Sequence, residues 1–202
     1  METKKDFKNY YEILERVGRN RFGIVFKVKH KVSKELRAAK IIEIDDDDDD
    51  DCLKSNINGI NIMKLIQAKN EDNTVKLYEY FINKNEIIIV MELCDCNLEY
   101  FLRNIKNGLK PEEILEILTQ LNNTFKILYE NKIVHRNLNL TNILLKYENE
   151  EKTKYKIKLA SYSLSKQLIN SEYLSEFVGV ILYMAPEILE GEKYNQECDL
   201  WS

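Results

Sequence analysis

The sequence predicts an α+β fold, in which a strand-rich N-terminal part is followed by a mainly helical C-terminal part. Up to about residue 90, apolar and polar residues often alternate with the period of two that is typical of strands. After Glu92, apolar residues recur instead at helical spacing. The 202 residues, of which 44% are apolar and 32% charged, are sufficient for one sizeable globular domain or two small lobes.

Five antiparallel strands and one helix are expected in the N-terminal part, residues 1–94. The period-two pattern is clearest at 23–30, and apolar residues at helical spacing indicate the helix at 55–67. A polar turn at 83–85 joins the last two strands. The expected strands are Tyr11 to Val17, Gly23 to His30, Leu36 to Ile42, Val75 to Phe81 and Glu86 to Met91.

Seven consecutive aspartates occupy positions 45–51. A block of like charge repels itself and cannot pack, so this tract predicts a solvated acidic loop. A calcium or magnesium site is the alternative, but a homopolymer has no spacing that would fix the geometry of the ligands.

Two long helices, a loop and a hairpin are expected in the C-terminal part, residues 95–202. The helices are predicted at 97–106 and 111–131, and Pro111 suits the start of the second because its missing N–H costs nothing there. A hairpin should follow around the polar insert at 148–154. A further helix should begin at 199–202.

Composition argues against several classes of function. The formal net charge of −4 and the pI of about 5.5 disfavour a nucleic acid partner, which requires a basic face. The four cysteines lack the spacing of a zinc site and are interpreted as reduced packing residues. No apolar signal core or membrane-spanning run occurs. We therefore expect a cytoplasmic or nuclear protein without a membrane partner.

Six short motifs occur in order along the chain. They are G-x-x-x-x-G-x-V at 18–25, A-x-K at 38–40, V-M-E at 90–92, H-R-x-L at 135–138, M-A-P-E at 184–187 and D-x-W-S at 199–202. Each alone is a weak signal, but the ordered set resembles the Ser/Thr protein kinases over nearly the whole chain. The resemblance implies a bilobal fold with a catalytic loop at 135–142, an activation segment at 161–187 and an incomplete C-terminal lobe.

The same resemblance implies that a nucleotide site is largely retained. Four apolar side chains would enclose adenine, a glycine would open the phosphate loop, a lysine would hold phosphate, and two backbone positions would bond to adenine. In that order these residues are Val17, Val25, Ala38 and Leu144; Gly18; Lys40; and Glu92 and Cys94. Asn20 replaces a glycine of the family pattern, which would crowd the phosphate loop.

The charged residues of the family's reaction are replaced. Asn137 stands at the position of the catalytic base, and an amide cannot take up a proton near neutral pH. Ser161 replaces a metal-binding aspartate, so that only Asn142 remains of the two implied metal ligands. Gly59 stands where a helix glutamate should pair with Lys40.

Other positions of the family pattern are kept. Side chains able to form the stack that runs through the two lobes are Met63, Leu77, Tyr162 and His135. The resemblance also implies that Arg136 pairs with a phosphate on the activation segment, which offers Ser171, Tyr173 and Ser175.

These features predict a degenerate protein kinase, a pseudokinase that acts by binding and regulating a protein partner, of which an active kinase is one candidate. ATP binding is expected to be weak or absent, and independent of magnesium. The alternatives are an ATP-dependent Ser/Thr kinase with residual activity and a non-functional kinase fragment. Because the lower lobe is expected to be incomplete, an exposed apolar patch should occur there.

Overall fold

The structure is a computed structural model that describes residues 6–20, 22–44, 50–69, 72–106, 108–169 and 172–202. The chain divides into two compact units. One comprises Met1–Lys54 with Lys76–Leu93, and the other comprises Ser55–Val75 with Cys94–Ser202. The chain leaves the first unit for the last time after Leu93, next to the expected boundary at 94. Residues 55–75, however, group with the second unit. The reason is hydrogen bonding, since Val75 N–H donates to Leu159 O across 2.9 Å and Asn58 Nδ2 donates to Ser165 O across 2.7 Å.

The first unit contains the predicted five-stranded antiparallel sheet. Its strands are β1 (Tyr11–Asn20), β2 (Gly23–His30), β3 (Leu36–Glu43), β4 (Leu77–Ile82) and β5 (Glu86–Met91). Their order across the sheet is β1-β2-β3-β5-β4, and every neighbouring pair is antiparallel. The α+β fold class is therefore confirmed, and β2 and β5 have the predicted bounds.

A short helix that the sequence analysis missed, α1 (Phe7–Tyr10), begins the described chain. The Asp6 side chain caps it by accepting from Lys8 N–H across 3.0 Å. Its Phe7 ring stacks on Tyr11 and packs edge-on against Phe81. Together these rings cover one apolar cluster of the sheet, made of Phe7, Tyr11, Val28, Ala39, Phe81, Ile88 and Val90.

The helix expected from residue 55 is longer, because α2 spans Asp50–Gln67. The predicted acidic loop at 45–51 is thus wrong for its last two residues, and 45–49 lie outside the described residues. Asp51 lies in the first helical turn, where the exposed N–H groups favour a carboxylate, and it forms an i,i+3 ion pair with Lys54 at 3.9 Å.

The second unit is mainly helical, with short strands around the predicted catalytic loop. Its helices are α3 (Leu98–Asn104), α4 (Pro111–Glu130), α5 (Pro186–Leu189) and α6 (Cys198–Trp201), and 3₁₀ turns occur at Tyr162–Leu164 and Ile181–Tyr183. Its strands are β6 (Cys96–Asn97), β7 (Ile133–Val134), β8 (Ile143–Tyr147), β9 (Tyr155–Leu159) and β10 (Lys166–Gln167). β8 and β9 form the hairpin expected around the polar insert, and β6 extends their sheet.

An apolar groove of about 360 Å³ opens beside α4. Leu118 and Tyr129 of α4 line it and are exposed, as is Leu200 of α6. The expected exposed apolar patch of the second unit is therefore present. In the described part of the chain, no helix has the length and apolar character needed to cross a bilayer.

Candidate functional site

The residues implied at the nucleotide and catalytic positions divide between the two units. Val17, Gly18, Val25, Ala38, Lys40 and Glu92 belong to the first unit, and Cys94, Asn137, Asn142, Leu144 and Ser161 belong to the second.

Strand register brings the glycine loop and the lysine into one row of the first unit. Gly18 is the cross-strand partner of Val25, and Val25 is the partner of Lys40. Directly opposed residues of adjacent strands project to the same face, so Val25 and Lys40 share a face of the sheet. Ala38 lies two residues from Lys40 on β3, which places it on that face too, opposite Met91 of β5. Val17 lies beside the irregularity of β1 between Arg16 and Gly18, and it is half exposed.

Of the two glycines in the phosphate-loop motif, only Gly23 lies where a side chain would not fit. At Gly23, φ is +136°, and a Cβ would lie 2.4 Å from Ile41 O. At Gly18, the nearest atom to a Cβ would be Val25 Cβ at 3.9 Å, an ordinary contact. Asn20 continues β1 and pairs with Gly23, so the strand tolerates it in place of glycine.

Lys40 is buried, with 7% of its surface exposed. Burial lowers the pKa of its ammonium group to about 8, and the Cys52 thiol opposes this shift slightly. The ammonium nitrogen lies 5.4 Å from the centre of the Phe22 ring. With that pKa the group is still mostly protonated at neutral pH, so it is able to bind an anionic phosphate.

The backbone after β5 is fixed by Glu92. Its N–H donates to Lys76 O across 2.8 Å, and its carboxylate accepts from Lys76 N–H across 3.3 Å. The Glu92 N–H thus has a backbone acceptor, and the adenine role implied for Glu92 stays a prediction. Cys94 follows in the second unit, where it is partly buried. Leu144 pairs with Asn97 of β6, and the carbonyl oxygen of the next residue, Leu145, accepts from Asp95 N–H.

Neutral side chains bonded to one another occupy the catalytic loop. Asn137 is buried, and its Nδ2 donates to Ser161 Oγ across 3.3 Å. The Asn137 carbonyl oxygen accepts from Asn142 Nδ2 at 2.8 Å and from Asn139 Nδ2 at 3.1 Å. Asn139 Oδ1 in turn accepts from Thr141 N–H at 2.9 Å. The loop that should carry a base is thus held by an amide network.

His135 anchors this loop and has no role as a base. It is fully buried, and burial lowers its pKa to about 4. Nε2 donates to Ala160 O at 3.1 Å, and Nδ1 accepts from Asn137 N–H at 3.3 Å, which fixes the neutral tautomer. Its ring packs edge-on against Tyr162 at 5.1 Å, so this part of the expected stack is confirmed.

Asp199 holds the backbone of the same loop from helix α6. Its two carboxylate oxygens accept from His135 N–H at 2.6 Å and from Arg136 N–H at 2.9 Å. Burial raises the pKa of this carboxyl to about 6, although both N–H groups oppose the shift.

Helix α2 contacts the turn that contains Ser161 at very short range. A Cβ at Gly59 would lie 2.7 Å from Tyr162 O and 3.2 Å from Ser163 Cα. On the same helical face, Ser55 Oγ donates to Ser163 O and Asn58 Nδ2 donates to Ser165 O. The sequence analysis missed Ser55 and Asn58. Their i, i+3, i+4 spacing with Gly59, a polar and small face on one helix, is the signal that could have revealed them.

The metal-ligand positions do not fit magnesium. Asn142 and Ser161 offer neutral oxygens, whereas magnesium prefers hard anionic ones. Ser161 adopts a left-handed backbone conformation with φ of 72°, and its hydroxyl is bonded to the Asn137 amide. Across the described ranges, no group of three His, Cys, Asp or Glu residues could hold a metal ion.

Comparison with known proteins agrees with this architecture. A sequence family described as protein kinase domain matches residues 11–202. The chain is 30% identical to the serine/threonine-protein kinase dst1 of Dictyostelium discoideum, over 98% of this chain and 25% of that protein. It is 31% identical to calcium-dependent protein kinase 5 of Plasmodium falciparum, over 98% of this chain and 33% of that protein. It is 28% identical to human cyclin-dependent kinase-like 5, over 96% of this chain and 19% of that protein. The chain thus spans a third or less of these relatives.

Proposed function

Since the chain belongs to the protein kinase family, we propose that it is a pseudokinase that serves as a binding or regulatory module. One observation carries the proposal. Asn137 Nδ2 donates to Ser161 Oγ, so the position of the base and that of a metal ligand hold two neutral groups bonded to each other. Two carboxylates at this separation would repel each other strongly unless a cation lay between them.

The size of the catalytic loss supports this reading. Removing a positioned general base costs about 10²–10⁴ in rate. Removing a metal clamp costs several kcal/mol of transition-state stabilisation, and each ~1.4 kcal/mol is a factor of ten. The losses are not additive, but an enzyme that turns over at ~1–100 s⁻¹ would become negligibly slow when both are combined.

The contact at Gly59 supports the proposal from the helix side. A glutamate side chain at this position cannot be accommodated while its Cβ would lie 2.7 Å from Tyr162 O. Hydrogen bonds from the Ser55 and Asn58 side chains to backbone carbonyl groups of the 161–165 turn hold the helix against that turn. The helix position is therefore stabilised by neutral hydrogen bonds, which need no ion pair with a lysine.

Weak, magnesium-independent nucleotide binding is part of the proposal. ATP is the nucleotide of the family in general. The buried Lys40 and the apolar Val25 and Ala38 on one sheet face are suited to a phosphate and an adenine ring. Neutral Asn142 and Ser161 offer no anionic oxygen through which a magnesium ion could strengthen that binding.

A protein partner is proposed as the target of the module. The activation segment exposes several large apolar side chains, namely Tyr173, Phe177, Ile181 and Leu182. Exposed apolar groups that are close in sequence favour docking of another protein. An active kinase is one candidate, and a change in its rate of phosphate transfer on addition of this chain would support that identity.

Residual kinase activity is the competing function, and a specific observation favours it. Asp199 and His135 still hold the backbone of the catalytic loop, and Asn142 is bonded to Asn137 O. The frame for catalysis is therefore kept although the charged groups are absent.

The deciding experiment measures thermal stabilisation by ATP with and without magnesium, together with phosphate transfer to a generic protein substrate. A ligand that binds only the folded state raises the melting temperature, and the stabilisation grows as RT ln(1 + [L]/Kd). The pseudokinase predicts weak or no stabilisation, unaffected by magnesium, and no transfer. Magnesium-dependent stabilisation with turnover would establish the residual kinase, and the absence of a cooperative melt would indicate a non-functional fragment.

A gain-of-function pair tests the assignment of positions. We expect Asn137→Asp with Ser161→Asp to create magnesium-dependent ATP stabilisation. The glutamate at 59 is best left out, because the close contact with Tyr162 makes Gly59→Glu destabilising. The matched control, Asn137→Asp with Asn139→Asp, adds the same charge without the metal-ligand change at Ser161 and should not create magnesium-dependent ATP stabilisation.

A further inference from the structure

The ring of Tyr162 carries a hydroxyl group that is buried inside the second unit. Only 2% of Tyr162 is exposed, and its hydroxyl oxygen lies 2.7 Å from Oγ1 of Thr74, which is buried as well. The edge-on packing of the ring against His135 needs no hydroxyl group. Since a buried polar group costs stability unless it is hydrogen-bonded, the contact with Thr74 is a separate constraint on this ring.

The direction of this hydrogen bond follows from the other partner of Thr74. Thr74 Oγ1 donates to Leu159 O across 3.2 Å. A threonine hydroxyl has a single proton to donate, so the Tyr162 hydroxyl donates to Thr74 Oγ1. The hydrogen bonds therefore run in one line from the Tyr162 ring through Thr74 to the backbone of β9.

The segment that carries Thr74 is held against β9 by its own backbone. Val75 N–H donates to Leu159 O across 2.9 Å, and Leu159 N–H donates to Asn73 O across 2.8 Å. The Asn73 side chain adds a hydrogen bond of 2.9 Å to Ile157 O. The acceptor of the Tyr162 hydroxyl is thus fixed in place independently of the ring.

The 161–165 turn begins with an unfavourable backbone conformation. Ser161 is left-handed with φ of 72°, which is costly for a residue that has a side chain. Such a conformation persists only where the surrounding structure holds it. The hydrogen bond from Asn137 to the Ser161 hydroxyl is long, at 3.3 Å. The shorter bond from Tyr162 to Thr74 holds the turn one residue later.

We propose that the hydrogen bond from Tyr162 to Thr74 is a latch that fixes the 161–165 turn in one conformation, with Ser161 beside Asn137. The turn then has a single shape that requires no nucleotide, metal ion or phosphate. A surface that is ordered before binding loses less conformational entropy when a partner binds, which suits a binding module. The latch itself depends neither on a partner nor on phosphate transfer.

The test is amide hydrogen exchange in the full chain. It is read at Ser165, whose N–H donates to Tyr162 O, and at Leu174 as a remote reference. Tyr162→Phe removes only the hydroxyl group, and exchange should accelerate roughly two- to tenfold at Ser165 and stay unchanged at Leu174. The matched control, Tyr155→Phe, removes a hydroxyl group from a partly exposed ring of the same unit and should change neither amide.

Three outcomes of this experiment would overturn the latch. The first is unchanged exchange at Ser165 in Tyr162→Phe. The second is equal acceleration at Ser165 and Leu174, which would indicate a general loss of stability. The third is an equal effect of Tyr155→Phe at Ser165.

Substitution of the acceptor separates the hydrogen bond from packing. Thr74→Val keeps the shape and removes the hydroxyl group. Exchange at Ser165 should accelerate by more than in Tyr162→Phe, because the buried phenol hydroxyl then faces a methyl group. Thr74→Ser keeps the hydroxyl group and should exchange at close to the wild-type rate. Exchange in Thr74→Ser that is as fast as in Thr74→Val would show that the methyl group holds the turn, and would contradict the latch.

The double substitution tests whether the two hydroxyl groups act on each other. Tyr162→Phe added to Thr74→Val removes the hydroxyl that has lost this acceptor, so the double variant should exchange no faster than Thr74→Val alone. Acceleration factors that multiply, as they do for independent sites, would argue against a direct bond between the two side chains.

Discussion

Gly59 lies so close to Tyr162 that a side chain would meet the Tyr162 carbonyl oxygen at 2.7 Å. The glycine therefore does more than omit a carboxylate. It allows the backbone of the 161–165 turn to approach helix α2, where Ser55 and Asn58 bond to two of its carbonyl groups.

Gly59→Ala should destabilise the fold. Alanine is favoured over glycine in a helix by up to about 1 kcal/mol, but the contact with Tyr162 O requires a backbone shift that costs roughly 1–3 kcal/mol. We expect a net loss in the free energy of unfolding, measured with urea. Asn61→Ala, at an exposed position of the same helix, should be neutral or stabilising. A stabilised Gly59→Ala would show that helix and turn separate freely.

The lowered pKa of His135 predicts that the fold loses stability in acid. Its folded pKa of about 4 is below the unfolded value of about 6.5, so its contribution is present above pH 6.5 and is lost as the pH falls to 4. The full effect is roughly 2–4 kcal/mol. His135→Phe should reduce the slope of unfolding free energy against pH in this window.

Asp199 acts in the opposite direction over a similar range. Its folded pKa of about 6 exceeds its unfolded value, so its contribution is present at low pH and is lost as the pH rises through 6. The difference between wild type and His135→Phe isolates the histidine. A difference that does not vary between pH 4 and 6.5 would contradict the buried neutral imidazole.

Lys40→Met should stabilise the chain at pH 7. The lysine pKa is lowered to about 8 in the fold, so its stability contribution is complete only above the unfolded value of about 10.5 and is lost as the pH falls to 8. Methionine avoids this cost, and we expect a gain of roughly 1–3 kcal/mol at pH 7 that disappears near pH 10.5. Lys29→Met on β2, at a less buried site, serves as the control.

Phe7→Ala tests the helix that the sequence analysis missed. Phe7 is 2% exposed and contacts Tyr11 and Phe81, so its truncation should cost roughly 3–5 kcal/mol of unfolding free energy. Lys8→Ala, on the exposed side of the same turn, should change it by less than about 0.5 kcal/mol. Equal, small effects would mean that α1 is not docked on the sheet.

Local patterns accounted for much of the first unit. The bounds of β2 followed from alternation, because a half-buried strand reveals its period in a few residues, whereas those of β5 followed from a short apolar run after a polar turn. The four residues of α1 are too few for a helical period. The start of α2 was missed because like charge in a tract was taken to prevent structure, whereas a carboxylate such as Asp51 is favoured in a first helical turn.

The features of the candidate site that the sequence did not predict are contacts between residues far apart in the chain. The residue types at Asn137, Asn142 and Ser161 were visible in the sequence, but the hydrogen bond between Asn137 and Ser161 joins positions 24 residues apart. The same holds for Gly59, whose missing carboxylate was predicted and whose contact with Tyr162 was not. Residue identity is local information, whereas a contact of this kind depends on how distant segments pack.

The catalytic loop can donate its two backbone hydrogen bonds to the Asp199 carboxylate only after residue 199 has been synthesised. His135 and Arg136 receive their carboxylate partner from positions 64 and 63 residues later. A ribosome adding about 5–20 residues per second needs several seconds to cover that interval. During those seconds the two N–H groups of the nascent loop lack their carboxylate partner.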